Sequence, residues 1–161
     1  MEDRPLSVLR SGAARGYPVA ADFARHLTSS LVDDGFDISH SEKLPRPTRC
    51  FALGQGLAKA VRAWTEGLRV AFVASGGLSH FTVDPELDAK VMRAFLDCDG
   101  DVLGNIPKNR LNSGNSEIRN WITVAGACAG LSPVWRDYIP CYRTPAGTGC
   151  GMGFAILWTG S

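Results

Sequence analysis

The sequence predicts an α/β fold, a mixed sheet with helices packed on both faces. Three observations carry that expectation. Val19, Phe23, Leu27 and Leu31 recur every fourth residue, the apolar stripe of an amphipathic helix. Val70-Ala71-Phe72-Val73-Ala74 is a continuous apolar run without polar alternation, as in a strand covered on both faces. Between them, Leu53, Leu57, Val61 and Trp64 share a second helical face that feeds straight into that run, the pattern of an α/β layer. With 161 residues the chain is long enough for one domain with a proper core.

Taken in order, residues 1–16 hold Arg4, Arg10, Arg15 and several small residues without a sustained period, and read as a poorly ordered leader ahead of a domain over 17–161. Pro18 suits the first turn of the first helix and Gly35 its end. Phe36-Asp37-Ile38-Ser39 alternates like a short strand, and Pro45 and Pro47 then forbid regular structure. Thr48 is the expected cap of the second helix and Gly67 its end. The apolar run stops at Gly76-Gly77 and presents Ser79 and His80. Asp84 as N-cap and Pro85 at the first helical position start a third helix, with Leu87, Val91, Met92, Phe95 and Leu96 buried. The stretch 98–113 reads as an exposed, mobile loop, and its Asp97-Cys98-Asp99-Gly100-Asp101 lacks the glycine placement and closing glutamate of a calcium loop. Asn115 or Ser116 is the expected cap of a helix to about Ala129, whose buried face is Ile118, Trp121, Ile122 and Ala125. The aromatic, basic tail from Trp135 is extended. Its glycines, Gly147 to Gly153, precede a strand at Phe154-Ala155-Ile156-Leu157-Trp158 instead of opening a helix, which excludes a dinucleotide fingerprint.

A formal net charge of +1 offers no electrostatic argument for nucleic acid or an anionic membrane. No window holds the roughly 18 apolar residues of a membrane span, and the N-terminus has no signal-peptide core, so the expected location is cytoplasmic. The five cysteines are scattered and never spaced C-x-x-C, which points to reduced, mostly buried thiols and not to a zinc ribbon or disulfide framework.

Strand ends beside flexible loops are where scaffolds hold catalytic groups, which makes His80 the first candidate. His26 flanks the apolar stripe of the first helix and reads as a partly exposed structural histidine; His40 reads as a solvated loop residue. Glu117 lies in the first turn of its helix, where the helix dipole favours a carboxylate, and at the edge of the buried face, where it is also placed to hold a metal. A hydrolase site using Ser75 or Ser79 with His80 is a weak reading, because adjacent serine and histidine cannot easily hydrogen-bond and the nucleophile-elbow pattern is absent.

Arg49-Cys50-Phe51-Ala52-Leu53-Gly54, Ser75-Gly76-Gly77-Leu78-Ser79-His80, Ser116-Glu117-Ile118-Arg119-Asn120-Trp121 and the glycine-rich last strand occur in an order that resembles the class III extradiol ring-cleavage dioxygenases, the superfamily of the protocatechuate 4,5-dioxygenase catalytic β subunit. The resemblance runs from about Gly16 to Trp158 and implies the C-terminal portion of that fold, incomplete relative to the family domain. It implies Fe(II) held by two histidines and a glutamate, a small aromatic diol and dioxygen as reactants, and a semialdehyde acid as product. By position Glu117 matches the glutamate ligand, His80 the acid/base histidine, and Thr148 the segment lining the substrate pocket. The family's two histidine ligands come from an N-terminal segment ahead of the part matched, and its Asp-His-Gly motif would fall after Leu44, where Pro45-Arg46-Pro47 follows directly, as though an internal stretch were deleted. His26 and His40 align with neither ligand. Two expectations therefore stand side by side: an iron-dependent ring-opening enzyme, and a truncated or degenerate non-catalytic paralogue that binds a partner. Either implies an uncovered apolar sheet face, and hence an oligomer or a partner subunit.

Overall fold

The structure is a computed structural model that describes residues 18–34, 44–65, 67 and 69–159. Its elements are α1 (Pro18–Asp33), α2 (Pro47–Ala63), β1 (His80–Thr82), α3 (Pro85–Leu96), α4 (Gly100–Gly104), 3-10 turns at Lys108–Leu111 and Ser113–Glu117, α5 (Ile118–Ala127), β2 (Ser132–Tyr142) and β3 (Thr148–Trp158). The class is α/β, as predicted. The leader at 1–16, the strand expected at 36–39 and His40 lie outside the described residues.

The sheet has the order β1-β3-β2 and is antiparallel throughout. The mixed character expected of it rested on the run 70–74, and here the structure corrects the sequence reading. That run is not a strand, and Val73 is 74% exposed. A continuous apolar run signals burial on two sides, but a strand also needs a neighbour for its backbone, and none pairs with it among the described residues.

One face of the sheet carries the core. Gly151 and Gly153 of β3 lie so close to α3 that a Cβ on Gly151 would stand 1.9 Å from Asp88 Oδ2, and one on Gly153 2.9 Å from both Leu78 and Met92. Leu78, Leu87, Val91, Phe95, Ile118, Trp121 and Ile122 fill the space between, with Phe95 and Trp121 edge to face at 5.0 Å. The stripes expected of α3 and α5 are therefore the buried ones. Helices α2 and α5 meet through glycines: a Cβ on Gly54 would lie 1.9 Å from Thr123 O, and one on Gly126 2.1 Å from Phe51 O.

Three further expectations are corrected. Arg46, not Thr48, is the N-cap of α2, and Pro47 begins the helix without a side-chain cap; the helix ends at Ala63, before Gly67. The stretch 98–113 is not an exposed loop but contains α4 and a 3-10 turn, and it buries Leu103, Ile106 and Leu111 completely or nearly so. Three apolar residues spaced for burial were masked there by glycine, proline and asparagine, whose turn signals describe the backbone and not its depth. Asn115 does not cap α5 but serves the site described below.

Candidate active site

The loop 75–79 arrives at the N-terminal end of α5 and is tied to it by three side chains. Gly77 N donates to Glu117 Oε2 at 3.0 Å, Asn120 Nδ2 donates to Ser75 O at 2.8 Å, and Trp121 Nε1 donates to Gly76 O at 3.1 Å. These positions fall at i, i+3 and i+4, one helical face. Gly76, with φ of 104°, adopts a conformation that side chains disfavour, and a Cβ there would lie 2.2 Å from Glu117 Oε2. The fourth polar member of the segment, Arg119, is buried and donates to Pro45 O at 2.9 Å and Leu111 O at 2.6 Å. Two of the four sequence segments that carried the family resemblance, 75–80 and 116–121, thus dock on each other.

From this loop His80 is presented with its ring fixed at both nitrogens. Nδ1 lies 3.0 Å from Leu78 O, and since a carbonyl only accepts, Nδ1 carries a proton. Nε2 is thereby turned to Glu117 Oε2, 3.3 Å away. The main chain is held as well: His80 N donates to Asn115 Oδ1 at 2.6 Å, and Gly114 passes so near that a Cβ there would stand 2.4 Å from His80 Cβ. Phe81, with φ of 67°, turns the chain sharply after the imidazole, a strained setting of the kind that collects at functional sites.

Beneath His80 lies a network that sequence reasoning missed. Asp88 of α3 is fully buried and accepts from Ser79 N at 2.9 Å, Ser79 Oγ at 2.7 Å and Tyr138 OH at 2.7 Å. Ser79 Oγ accepts in turn from Asp84 N at 2.9 Å, and Asp84 Oδ1 caps α3 by accepting from Leu87 N, as expected. Burial, reinforced by Asp88, pushes the Tyr138 phenol well above its ordinary value, so it stays a donor. One signal for Asp88 was legible: it shares a helical stripe with Val91, Met92 and Phe95, an odd place for a charge without partners. Nothing local marks Tyr138, whose role depends on the hairpin register.

Of the three site residues expected, His80 and Glu117 are in contact. Thr148 is not joined to them among the described residues. It is exposed, pairs with Thr82 across the sheet, and holds its hydroxyl 2.7 Å from that of Thr144. His26 is the structural histidine expected, partly exposed, with Nε2 2.7 Å from Ala60 O and its ring 5.0 Å from that of Trp64. As a metal centre the described residues supply one carboxylate and one imidazole, and no group of three metal-ligating side chains occurs among them. A facial triad needs three donors, so these residues alone do not complete one. No helix among them is long and apolar enough to cross a membrane.

Comparison with known proteins gives two matches. A stretch of 40 residues is 52% identical to gallate dioxygenase of Pseudomonas putida, covering 24% of this chain and 12% of that protein. The chain therefore spans a small part of the relative it matches. Residues 36–148, well over half the chain, match the family described as the catalytic LigB subunit of aromatic ring-opening dioxygenase. That span takes in both docked segments, His80 and Glu117, and the chain belongs to this aromatic ring-opening dioxygenase family.

Proposed function

We propose that this chain carries the proton-transfer end of an Fe(II)-dependent extradiol site that opens a catechol-type ring with dioxygen. The observation that supports the reading is the His80–Glu117 contact, with Nδ1 committed to Leu78 O and Nε2 left to exchange a proton. In this reading Glu117 is the carboxylate ligand, His80 the acid and base, and Thr148 part of the substrate pocket. Iron, when bound, would bring diol and dioxygen into one coordination sphere. His80 Nε2 takes a proton from one substrate hydroxyl, the imidazolium so formed is stabilised by the Glu117 carboxylate and by Leu78 O, and the proton returns to oxygen as the ring opens. A facial triad would need two further donors beside Glu117. Gallate, the substrate in the name of the matched relative, belongs with catechol and protocatechuate among the rings to try.

A second reading has its own support, since one carboxylate and one imidazole fall short of a triad: a non-catalytic relative that binds a partner or an aromatic without turnover. The two separate experimentally. The chain is given Fe(II) without air, then one of the three diols and oxygen, while metal affinity, diol affinity, oxygen uptake and yellow ring-opened product are followed. The iron-site reading expects Fe(II) affinity to fall at least about tenfold in Glu117→Gln, and any product to vanish in His80→Ala. With only these donors from the described residues, product from the isolated chain is expected to be slight. Diol binding without Fe(II) dependence would favour the non-catalytic relative, and Fe(II) binding indifferent to Glu117→Gln would sink the assignment of the ligand.

A further inference from the structure

We propose that Cys141 and Cys150 form a modification site, a cross-strand dithiol that a hydroperoxide closes to a disulfide one strand away from His80. The proposal stands apart from the dioxygenase reading. Cys141 of β2 and Cys150 of β3 are direct register partners, and Cys150 is in turn the partner of His80 on β1. Imidazole, thiol and thiol therefore form one row across the three-stranded sheet. Two residues along the same ladder Arg143 N donates to Thr148 O at 2.7 Å, and since hydrogen-bonded pairs alternate, the cysteine pair belongs to the hydrogen-bonded set. Such partners have Cα atoms about 5.5 Å apart, in the middle of the range a disulfide spans. Their side chains share a face of the sheet, and the Cys150 thiol borders the site: a Cβ on Gly77 would lie 2.8 Å from Cys150 Sγ and 3.3 Å from His80 Cε1.

Access separates the two roles. Cys141 is exposed and Cys150 half-buried, with Sγ 3.8 Å from Met152 Sδ. Cys141 sulfur, as thiolate, attacks a peroxide oxygen; an S–O bond forms, the O–O bond breaks, and with hydrogen peroxide the departing hydroxide takes up the proton the Cys141 thiol released and leaves as one water. Cys150 sulfur then attacks Cys141 sulfur, the S–S bond forms, the S–O bond breaks, and the hydroxyl departs with the Cys150 proton as a second water. Two thiols supply the two electrons that reduce the peroxide. A bond across paired strands with an exposed member belongs to the labile, reversible kind.

The test uses the reduced chain treated with one equivalent of hydrogen peroxide, then denatured, counted for thiols and mapped by peptide mass spectrometry. Thiols are expected to fall from five to three, with one intramolecular link joining Cys141 to Cys150, restored by dithiothreitol. In Cys150→Ser a sulfenic acid should be trapped by dimedone at Cys141; in Cys141→Ser neither trap nor link should form at that dose. Cys98 and Cys128, near enough to influence each other, serve as the internal comparison. A link mapping to that pair, a link between chains, or equal thiol loss in the Cys141→Ser/Cys150→Ser double variant would each overturn the proposal.

Discussion

His80 owes its orientation to a carboxylate it never touches. Asp88 grips Ser79 through both the backbone N–H and the hydroxyl, and the preceding carbonyl, Leu78 O, is what fixes the proton on Nδ1. Asp88→Asn keeps the shape but reverses donors at one oxygen, so Ser79 and Tyr138 lose their common acceptor. The expected result is a mixed His80 tautomer, read from imidazole nitrogen shifts by NMR without metal or substrate; an unchanged tautomer in a folded variant would reduce Asp88 to a stabilising role. Asp88→Ala should cost more, roughly 1–3 kcal/mol for each buried donor left unpaired, measured by denaturant unfolding. Tyr138 adds a pH dependence. Its folded-state pKa is raised, so the folded protein holds this proton more tightly than the unfolded chain does; the stabilisation is complete below about pH 10 and declines as pH rises beyond it. Tyr138→Phe should flatten that alkaline loss in stability measured between pH 9 and 11.5, and identical slopes would remove Tyr138 from the account.

Among the elements, α2 and α5 show how glycine spacing becomes architecture. Gly54 and Gly126 are helix-interior glycines that would each gain about 1 kcal/mol in intrinsic helix propensity on replacement by alanine. Here the gain is outweighed, because the added Cβ would meet backbone carbonyl oxygens at 1.9 and 2.1 Å, and backbone cannot swing aside. Gly126→Ala is expected to destabilise by roughly 1–3 kcal/mol in thermal unfolding; a raised melting temperature would mean the helices do not pack at this closeness. The hairpin offers a second lesson. Gly151 spends its N–H on Ser79 O and its carbonyl on Leu78 N, so its partner Pro140, and Tyr138 two residues away, direct their backbone to the free edge of β2. Pro140 has no N–H to offer there, and Tyr138 N is satisfied at 2.8 Å by Asp137 Oδ1. The edge of this 11-residue strand is thereby blunted against strand addition.

For the whole molecule the unfinished feature is the other face of the sheet. Trp135 pairs with Ile156 and Ile139 with Met152, and with Phe154 and Trp158 they form an apolar surface on the side away from α3. Trp135, Ile139, Ile156 and Trp158 are each about half exposed, at 50%, 48%, 49% and 60%. His80, as the partner of Cys150, stands at the border of this surface. Apolar patches of this kind favour association, and with β2 blunted at its edge the contact is expected through the face. Sizing with light scattering should find oligomers or aggregates, shifted toward monomer in Trp135→Ser/Ile156→Thr. A monomeric wild-type chain with a cooperative melt would contradict this.

Local pattern alone determined the α/β class, the stripes of α3 and α5, the Asp84–Pro85 helix start and the candidacy of His80 and Glu117, because helix periodicity, capping chemistry and a titratable group after a glycine turn are written in neighbouring residues. It also carried the family membership. Tertiary structure decided the rest. Whether 70–74 becomes a strand depends on a partner for its backbone, whether 98–113 is buried depends on what packs over Leu103 and Leu111, and the Asp88–Ser79–Tyr138 network and the Cys141–Cys150 pair exist only once β2 and β3 have chosen their register. Tyr138 and Asp88 are 50 positions apart, and no local period reports a contact over that separation.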